Sequence, residues 1–302
     1  MLECKDTKSI LCTCRALSSP IRLQIVQLVA QKNGINLGEL SELTNITNSA
    51  MTAHISALKE AGVLRIEQSA GRRGMQKNCF LEETSFTINI LGNSAGSNTF
   101  ESEIPIGSYV AYEAVPTCGM ATTESVIGNW DDPRYFDDPQ RINASILWMG
   151  AGYVEYRLPN YLARHQRLVE LQISQEISSE APGVNDNWPS DIHFSINGRD
   201  LGFWTCPGDF GDKRGLYSPN WWLSNINQYG LLKSLFVRQD GSYIDGQKIS
   251  DLTIHDMNIA SGSELIYRVS APADAEHPGG LTLFGRGFGN YNQGITVRMI
   301  YQ

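Results

Sequence analysis

The chain has 302 residues, 41% of them hydrophobic and 19% charged, with a net charge of −8. These values describe a folded, well-cored protein and exclude a disordered one, and the length predicts about two domains. No apolar run reaches the roughly eighteen residues of a membrane span. The start, Met1-Leu2-Glu3-Cys4-Lys5-Asp6, lacks the basic and apolar segments of a secretory signal, so a cytoplasmic protein without a membrane partner is expected.

Cys4, Cys12 and Cys14 lie near the N-terminus, and Cys79, Cys118 and Cys206 are dispersed without any CxxC pair. The expectation is free thiols, with no disulfide, no structural metal and no cofactor. Charge is unevenly spread. Residues 1–84 hold ten Lys/Arg against eight Asp/Glu, a surplus of +2, and the remainder holds fourteen against twenty-four, a deficit of −10. A mildly basic head on an acidic body suits a protein whose nucleic-acid contacts lie at one end.

Ser19-Pro20 opens the first well-marked helix, with Ile21, Ile25, Leu28 and Val29 on one stripe and Asn33-Gly34 at its end. Asn36 and Glu39 form a predicted capping box for a second helix, with Leu40 and Leu43 as its buried face. After the turn Thr44-Asn45-Ile46, Thr47 caps a third helix that buries Met51, Ile55 and Leu58, and Gly62 stands at its C′ position. The opposite face carries Asn48, Ser49, Thr52, Ala53 and Ser56. Solvated helix faces are usually rich in Glu and Lys, whereas this one is uncharged until Lys59. Small polar side chains can approach base edges in a major groove without bulk, which is helix-turn-helix logic.

Val63 to Glu67 and Met75 to Leu81 then read as two strands around a turn, Ser69-Ala70-Gly71-Arg72-Arg73-Gly74. A basic hairpin directly after a recognition helix is a wing, with Arg72, Arg73 and Lys77 directed at phosphates or a minor groove.

The stretches Leu17-Ser18-Ser19-Pro20-Ile21-Arg22-Leu23-Gln24-Ile25, Leu40-Ser41-Glu42-Leu43 and His54-Ile55-Ser56-Ala57-Leu58-Lys59-Glu60-Ala61-Gly62-Val63-Leu64 resemble those of ArsR-type winged-helix repressors. The resemblance covers the first quarter of the chain. It implies a homodimer on a palindromic double-stranded DNA site, dimerised largely through helices outside the recognition helix. It also implies that Thr47, Asn48, Ser49, Thr52, Ala53 and His54 face the DNA. Metal-sensing members of that family carry Cys-x-Cys in the helix before the recognition helix. Here the matching stretch, Asn36-Leu37-Gly38-Glu39-Leu40, has no thiol, and Cys12-x-Cys14 lies in the N-terminal helix instead.

From about Phe86 strand signals dominate, after a linker-like Gly92-Asn93-Ser94-Ala95-Gly96-Ser97-Asn98. Strands are predicted over Ile106–Glu113, Ser145–Met149, Tyr153–Leu158, Arg167–Gln175, Ile192–Ile196, Leu201–Thr205, Leu231–Arg238, Glu264–Val269, Leu281–Phe284 and Gly294–Ile300. The predicted fold is therefore α+β and multidomain: a winged helix-turn-helix over residues 1–84, then an all-β sandwich over 85–302. Gly152 to Leu158 and Asp191 to Gly198 loosely resemble strands of jelly-roll carbohydrate-binding modules.

Two loops concentrate aromatic and charged residues: Gly128 to Pro139, with Trp130, Asp131 and Arg134, and Phe203 to Trp222, with Trp204, Asp209, Arg214, Trp221 and Trp222. His277, before Pro278-Gly279-Gly280, has a similar setting. Indole beside Asp and Arg suits a sugar, whose apolar face stacks while its hydroxyls take donors and acceptors. The alternative is that the tryptophans only pack long loops onto the sandwich. No Ser-His-Asp, HExxH or phosphate-loop motif occurs, and aspartates beside proline and glycine are commonly turn formers, so no enzyme is expected. The reading is a homodimeric ligand-responsive regulator, a repressor or an activator with the repressor favoured, whose sandwich senses a small molecule such as a mono- or oligosaccharide. Two alternatives stand beside it: a sandwich serving only dimerisation or partner binding, and a metal- or thiol-responsive repressor using Cys12 and Cys14.

Overall fold

The computed structural model describes residues 2–4, 7–32, 34–71, 74–82, 86–88 and 98–302. The chain forms two compact units, Met1–Ala95 and Gly96–Gln302. In the first, β1 (Leu2–Cys4), α1 (Thr7–Leu17), α2 (Pro20–Gln31), β2 (Ile35–Asn36), α3 (Leu37–Thr44), α4 (Asn48–Glu60), β3 (Leu64–Gly71), β4 (Gly74–Leu81) and β5 (Phe86–Ile88) follow in order.

Local chemistry sets these helices. Pro20 opens α2, although the Ser19 side chain makes no capping bond. The carbonyls of Ala16 and Arg15 at the end of α1 accept from the Arg22 guanidinium, the first at 2.6 Å. The capping box of α3 is complete: Asn36 Oδ1 accepts from the Glu39 N–H at 3.0 Å, and Glu39 Oε2 accepts from the Asn36 N–H at 3.3 Å. Helix α4 starts with Thr47 Oγ1 accepting from the Ala50 N–H at 3.4 Å. It ends in a Schellman motif: Gly62 at φ 72° donates to Lys59 O, and Val63 donates to Leu58 O. Ile25, Val29, Leu40, Met51, Ile55, Leu58 and Val63 share one core with Ile35 and Cys79. Leu43 departs from the expectation, being 59% exposed. In an eight-residue helix the turn beside Leu40 that faces the core is taken by Ser41, which is buried.

Strands β3 and β4 pair antiparallel from Leu64↔Leu81 to Gly71↔Gly74, and β2 joins through Ile35↔Cys79. Arg72 and Arg73 lie outside the described residues, as does Asn33. Strand β5 pairs in parallel with β1, Leu2 opposite Phe86. The boundary therefore falls after the Phe86 strand, about ten residues later than residue 84. The alternation at 86–90 marks a strand but does not name its partner.

The second unit contains β6 (Asn98–Ile104), β7 (Ala111–Ala121), β8 (Ile146–Arg157), β9 (Leu168–Ser178), β10 (Ser190–Ile196), β11 (Arg199–Cys206), β12 (Leu231–Arg238), β13 (Gly241–Ile244), β14 (Gln247–Ser250), β15 (Ile266–Ala271), β16 (Leu281–Phe284) and β17 (Ile295–Tyr301). They form one antiparallel network in the order β11-β10-β15-β8-β16-β9-β12-β13-β14, with β7 beside β8, and β17 joining β6 to β9. The two ends of that path approach each other: a Cβ on Gly202 of β11 would stand 3.1 Å from Ile249 O of β14. The result is a large antiparallel sheet that is nearly barrel-like. The fold as a whole is α+β and multidomain.

Burial alternates along β15 and from Ile192 to Ile196 of β10, as half-buried strands require. Leu147, Met149, Val154, Tyr156, Leu171, Ile173, Phe194, Tyr267 and Val297 lie in the core. The predicted break between Met149 and Tyr153 is absent, and β8 runs through it. Its glycines serve close approach instead. A Cβ on Gly152 would lie 1.9 Å from Glu113 O, and one on Gly150 2.8 Å from Pro116 O, so both let β7 press against β8.

Candidate nucleic-acid interface and ligand cleft

In the first unit α4 turns its apolar residues inward and leaves Thr47, Asn48, Ser49, Thr52, Ala53 and Ser56 exposed, with His54 half-buried. Asn48 sits in the first turn, where a recognition helix meets base edges. The Thr52 hydroxyl donates to Asn48 O at 2.8 Å, which leaves its lone pairs to accept. On the hairpin Lys77 is exposed. Arg65, at the base of the hairpin, is committed elsewhere: it pairs with Glu67 and Glu82 and lies 4.5 Å over the Phe80 ring.

Cys12 is half-buried and packs against the head core, whereas Cys14 two residues on is exposed, so the two thiols point apart. Cys79, Cys118 and Cys206 are buried. Burial pushes the Cys79 and Cys118 thiols up to about 11, far from the reactive thiolate. Among the described residues no group of three or more His, Cys, Asp or Glu could hold a metal ion, and no helix is long and apolar enough to cross a membrane.

The second unit divides the residues that sequence had grouped. Trp130 and Asp131 line a cleft of about 130 Å³ together with Thr117, Trp148, Glu180 and Asn227. Trp130 is 46% exposed. Its ring lies 5.1 Å from that of Trp148 at 41°, forming a wedge. Gly119 makes room for the second indole, since a Cβ there would meet Trp148 Cζ2 at 2.4 Å. Asp131 is held at φ 58° by a reciprocal pair: its N–H donates to Cys118 O, and its Oδ1 accepts from the Cys118 N–H, both at 2.9 Å.

Glu180 is 8% exposed. Its Oε1 accepts from the Thr117 hydroxyl at 3.2 Å, and its Oε2 from Asn227 Nδ2 and the Thr282 hydroxyl, both at 2.9 Å. Burial and then the neighbouring Asp209 push its carboxyl well above the usual range, against the hydrogen bonds from Thr282 and Thr117.

The remaining sequence candidates stand elsewhere. Trp222 is 1% exposed, its Nε1 donating to Asn227 O at 2.8 Å, so it is packing and not a platform. Trp221 is partly exposed and donates to Thr123 O at 2.6 Å. Arg214 is spent on loop carbonyls, donating to Pro219 O at 2.5 Å and Trp222 O at 3.1 Å. Asp209 is fully buried, its Oδ2 accepting from the Ala181 N–H at 3.2 Å, and burial pushes its carboxyl up to about 7. Arg134 reaches back to Asp132 with two bonds of 2.8 and 2.6 Å. Asp132 and Asp138 each open a 3-10 turn ahead of proline, the turn-forming role expected of such aspartates.

Trp204 lies in strand β11, where the predicted strand Leu201–Thr205 has it, and lines a concavity of about 480 Å³ apart from the loop it was grouped with. Lys233 Nζ sits 4.2 Å above its ring and 2.8 Å from Asp245, so one indole face is already covered. His277 packs on buried Asp191, which accepts from its N–H at 3.0 Å and from the Thr205 hydroxyl at 2.7 Å. Burial alone would raise the Asp191 carboxyl, but the Thr205 and His277 contacts outweigh it and hold it below its ordinary value.

Sequence reasoning missed Glu180, Thr117, Trp148 and Asn227. Only the two residues of the Gly128–Pro139 loop, Trp130 and Asp131, carried a signal for this cleft.

A family model described as a helix-turn-helix domain matches residues 17–67, from the end of α1 into β3. Among solved structures, HlyU from Vibrio cholerae N16961 is 24% identical over 26% of this chain and 82% of its own, with a TM-score of 0.23. Its reduced form is 23% identical over 26% and 77%, also at 0.23. An ArsR family transcriptional regulator is 20% identical over 27% and 77%, again at 0.23. No curated protein matches the chain significantly. Residues 17–67 carry a helix-turn-helix domain, which the β3–β4 hairpin completes into a winged, DNA-binding head.

Proposed function

We propose that the protein is a ligand-responsive transcription regulator, a repressor that binds a palindromic operator as a homodimer. The head binds DNA, and the Trp130 cleft of the second unit takes a small effector with a flat apolar face, such as a sugar. The observation that carries the reading is the outer face of α4, where Asn48, Ser49, Thr52, Ala53 and Ser56 stand exposed without a charge among them. A face that merely met water would gain from Glu and Lys, whereas base edges in a major groove call for short donors and acceptors. The cleft supplies what an effector needs: indole faces for stacking, and Asp131, Asn227 and Glu180 for hydroxyls.

Coupling between the two sites has to be reciprocal. An effector that weakens operator binding by a given factor is itself bound more weakly, by the same factor, in the DNA complex. The test is an operator selected from random duplexes with the full-length protein, followed by anisotropy titrations with and without sugars. A selection that enriches no sequence would count against the regulator reading, and an affinity unmoved by every sugar tried would count against a sugar effector.

A further inference from the structure

We propose that the cleft between Trp130 and Glu180 takes a ligand bearing a protonated amine beside a flat apolar face, the chemistry of an amino sugar. The inference rests on the cleft being the effector site and adds the charge of its ligand.

The lining holds two carboxyl groups, Asp131 and Glu180, and no Lys, Arg or His. Every hydrogen bond that Glu180 receives comes from a neutral donor: the hydroxyls of Thr117 and Thr282 and the amide of Asn227. Three inward donors match an ionised carboxylate, which only accepts. A buried anion without a cationic partner is nevertheless costly, and the neighbouring Asp209 and Asp131 have the same sign. Without a cation, burial and Asp209 therefore favour the protonated carboxyl, and an incoming ammonium would favour the ionised form that the three donors suit.

The aromatic wall agrees. Trp130 and Trp148 meet at 41° with centroids 5.1 Å apart, and indole faces attract cations more strongly than other rings do. A neutral sugar would use the indoles and bring no charge to the two carboxyl groups. A ligand whose amine reaches Glu180 and Asp131 while its ring lies on Trp130 uses the whole lining.

The experiment is a titration of the full-length protein with glucosamine, N-acetylglucosamine, glucose and tetramethylammonium, followed by tryptophan emission and calorimetry. All six tryptophans lie between residues 130 and 222, so the emission reports the second unit alone. Glucosamine is expected to bind at least tenfold more tightly than its acetylated form or glucose. Glu180→Gln should remove that preference, and Asp131→Asn, an exposed change that keeps the Cys118 contact, should reduce it if the first variant fails to fold. Equal affinity for glucosamine and glucose would overturn the amine requirement while leaving the effector reading intact. No response to any of the four probes would overturn both.

Discussion

Trp130 stacks on Trp222 with ring centroids 5.7 Å apart and planes at 28°, one ring half in solvent and the other 1% exposed. Their roles therefore differ although both are indoles on loops. Trp222 also meets Trp148, Trp221 and Phe288 edge-on at 5.1 to 5.7 Å. Removing a buried ring of this kind costs about 3–5 kcal/mol, whereas losing one partly exposed aromatic pair costs about 0.5–1.5 kcal/mol. Trp222→Ala should lower the melting temperature of the second unit steeply. Trp130→Ala should lower it slightly and abolish any ligand response. Thermal melts of the two variants giving equal losses would remove this division of labour.

On the DNA side, Asn48→Ala should cost more sequence discrimination than Thr52→Ala. The Asn48 carboxamide can both donate and accept, while the Thr52 hydroxyl proton is already given to Asn48 O at 2.8 Å. A base contact contributes about 1–3 kcal/mol of discrimination. Competition titrations of selected operator against random duplex measure it. Parallel losses on both duplexes would mean that these side chains do not read bases.

The wing should show itself through salt. Arg72→Ala with Arg73→Ala removes two positive charges from the segment between β3 and β4, so the slope of log K against log salt should flatten by roughly two units, for any DNA sequence. Arg65→Ala is the control, because that guanidinium already pairs with Glu67 and Glu82. A slope that responds to Arg65 and not to Arg72 and Arg73 would place the phosphate contacts elsewhere.

The head was legible in sequence because its signals are local. The Asn36–Glu39 capping box, the Thr47 cap and the Gly62 terminus each act within five residues. The cleft was not, because its parts come from distant segments: Glu180 accepts from residues 63 positions before it and 47 and 102 after it. Trp204 was placed in the predicted strand Leu201–Thr205 and also grouped with the loop that follows. Its strand ends at Cys206, and the loop that starts at Pro207-Gly208 carries the other aromatics, so adjacency in sequence joined Trp204 to residues that the fold sets apart. The glycines of β8 were read as a break because a glycine that admits a neighbouring strand looks the same in sequence as one that turns the chain.

The last prediction concerns pH and a buried acid outside the cleft. Glu176 on β9 is fully buried. Its Oε1 accepts from the N–H groups of Gly230 at 2.9 Å and Asn290 at 2.8 Å, and its Oε2 from that of Tyr291 at 2.8 Å. It thus ties the loop before β12 and the loop before β17 to β9. Burial pushes its carboxyl from 4.5 up to about 8, against those three bonds. As pH rises above 4.5 the unfolded chain gives up this proton while the folded chain keeps it. The stability that the group contributes is therefore complete below about 4.5 and is lost progressively as pH approaches about 8. Asp209, pushed up to about 7, acts in the same direction over a narrower window. Denaturant unfolding followed by tryptophan emission should show the second unit weakening between pH 5 and pH 8, by up to roughly 1 kcal/mol per pH unit from Glu176. Glu176→Gln presents an amide to one of the three N–H donors, so it should cost about 1 kcal/mol at pH 5. The same variant cannot ionise, so its stability should fall less on the way to pH 8. A mutant curve parallel to that of the parent across this range would assign the pH dependence to other groups.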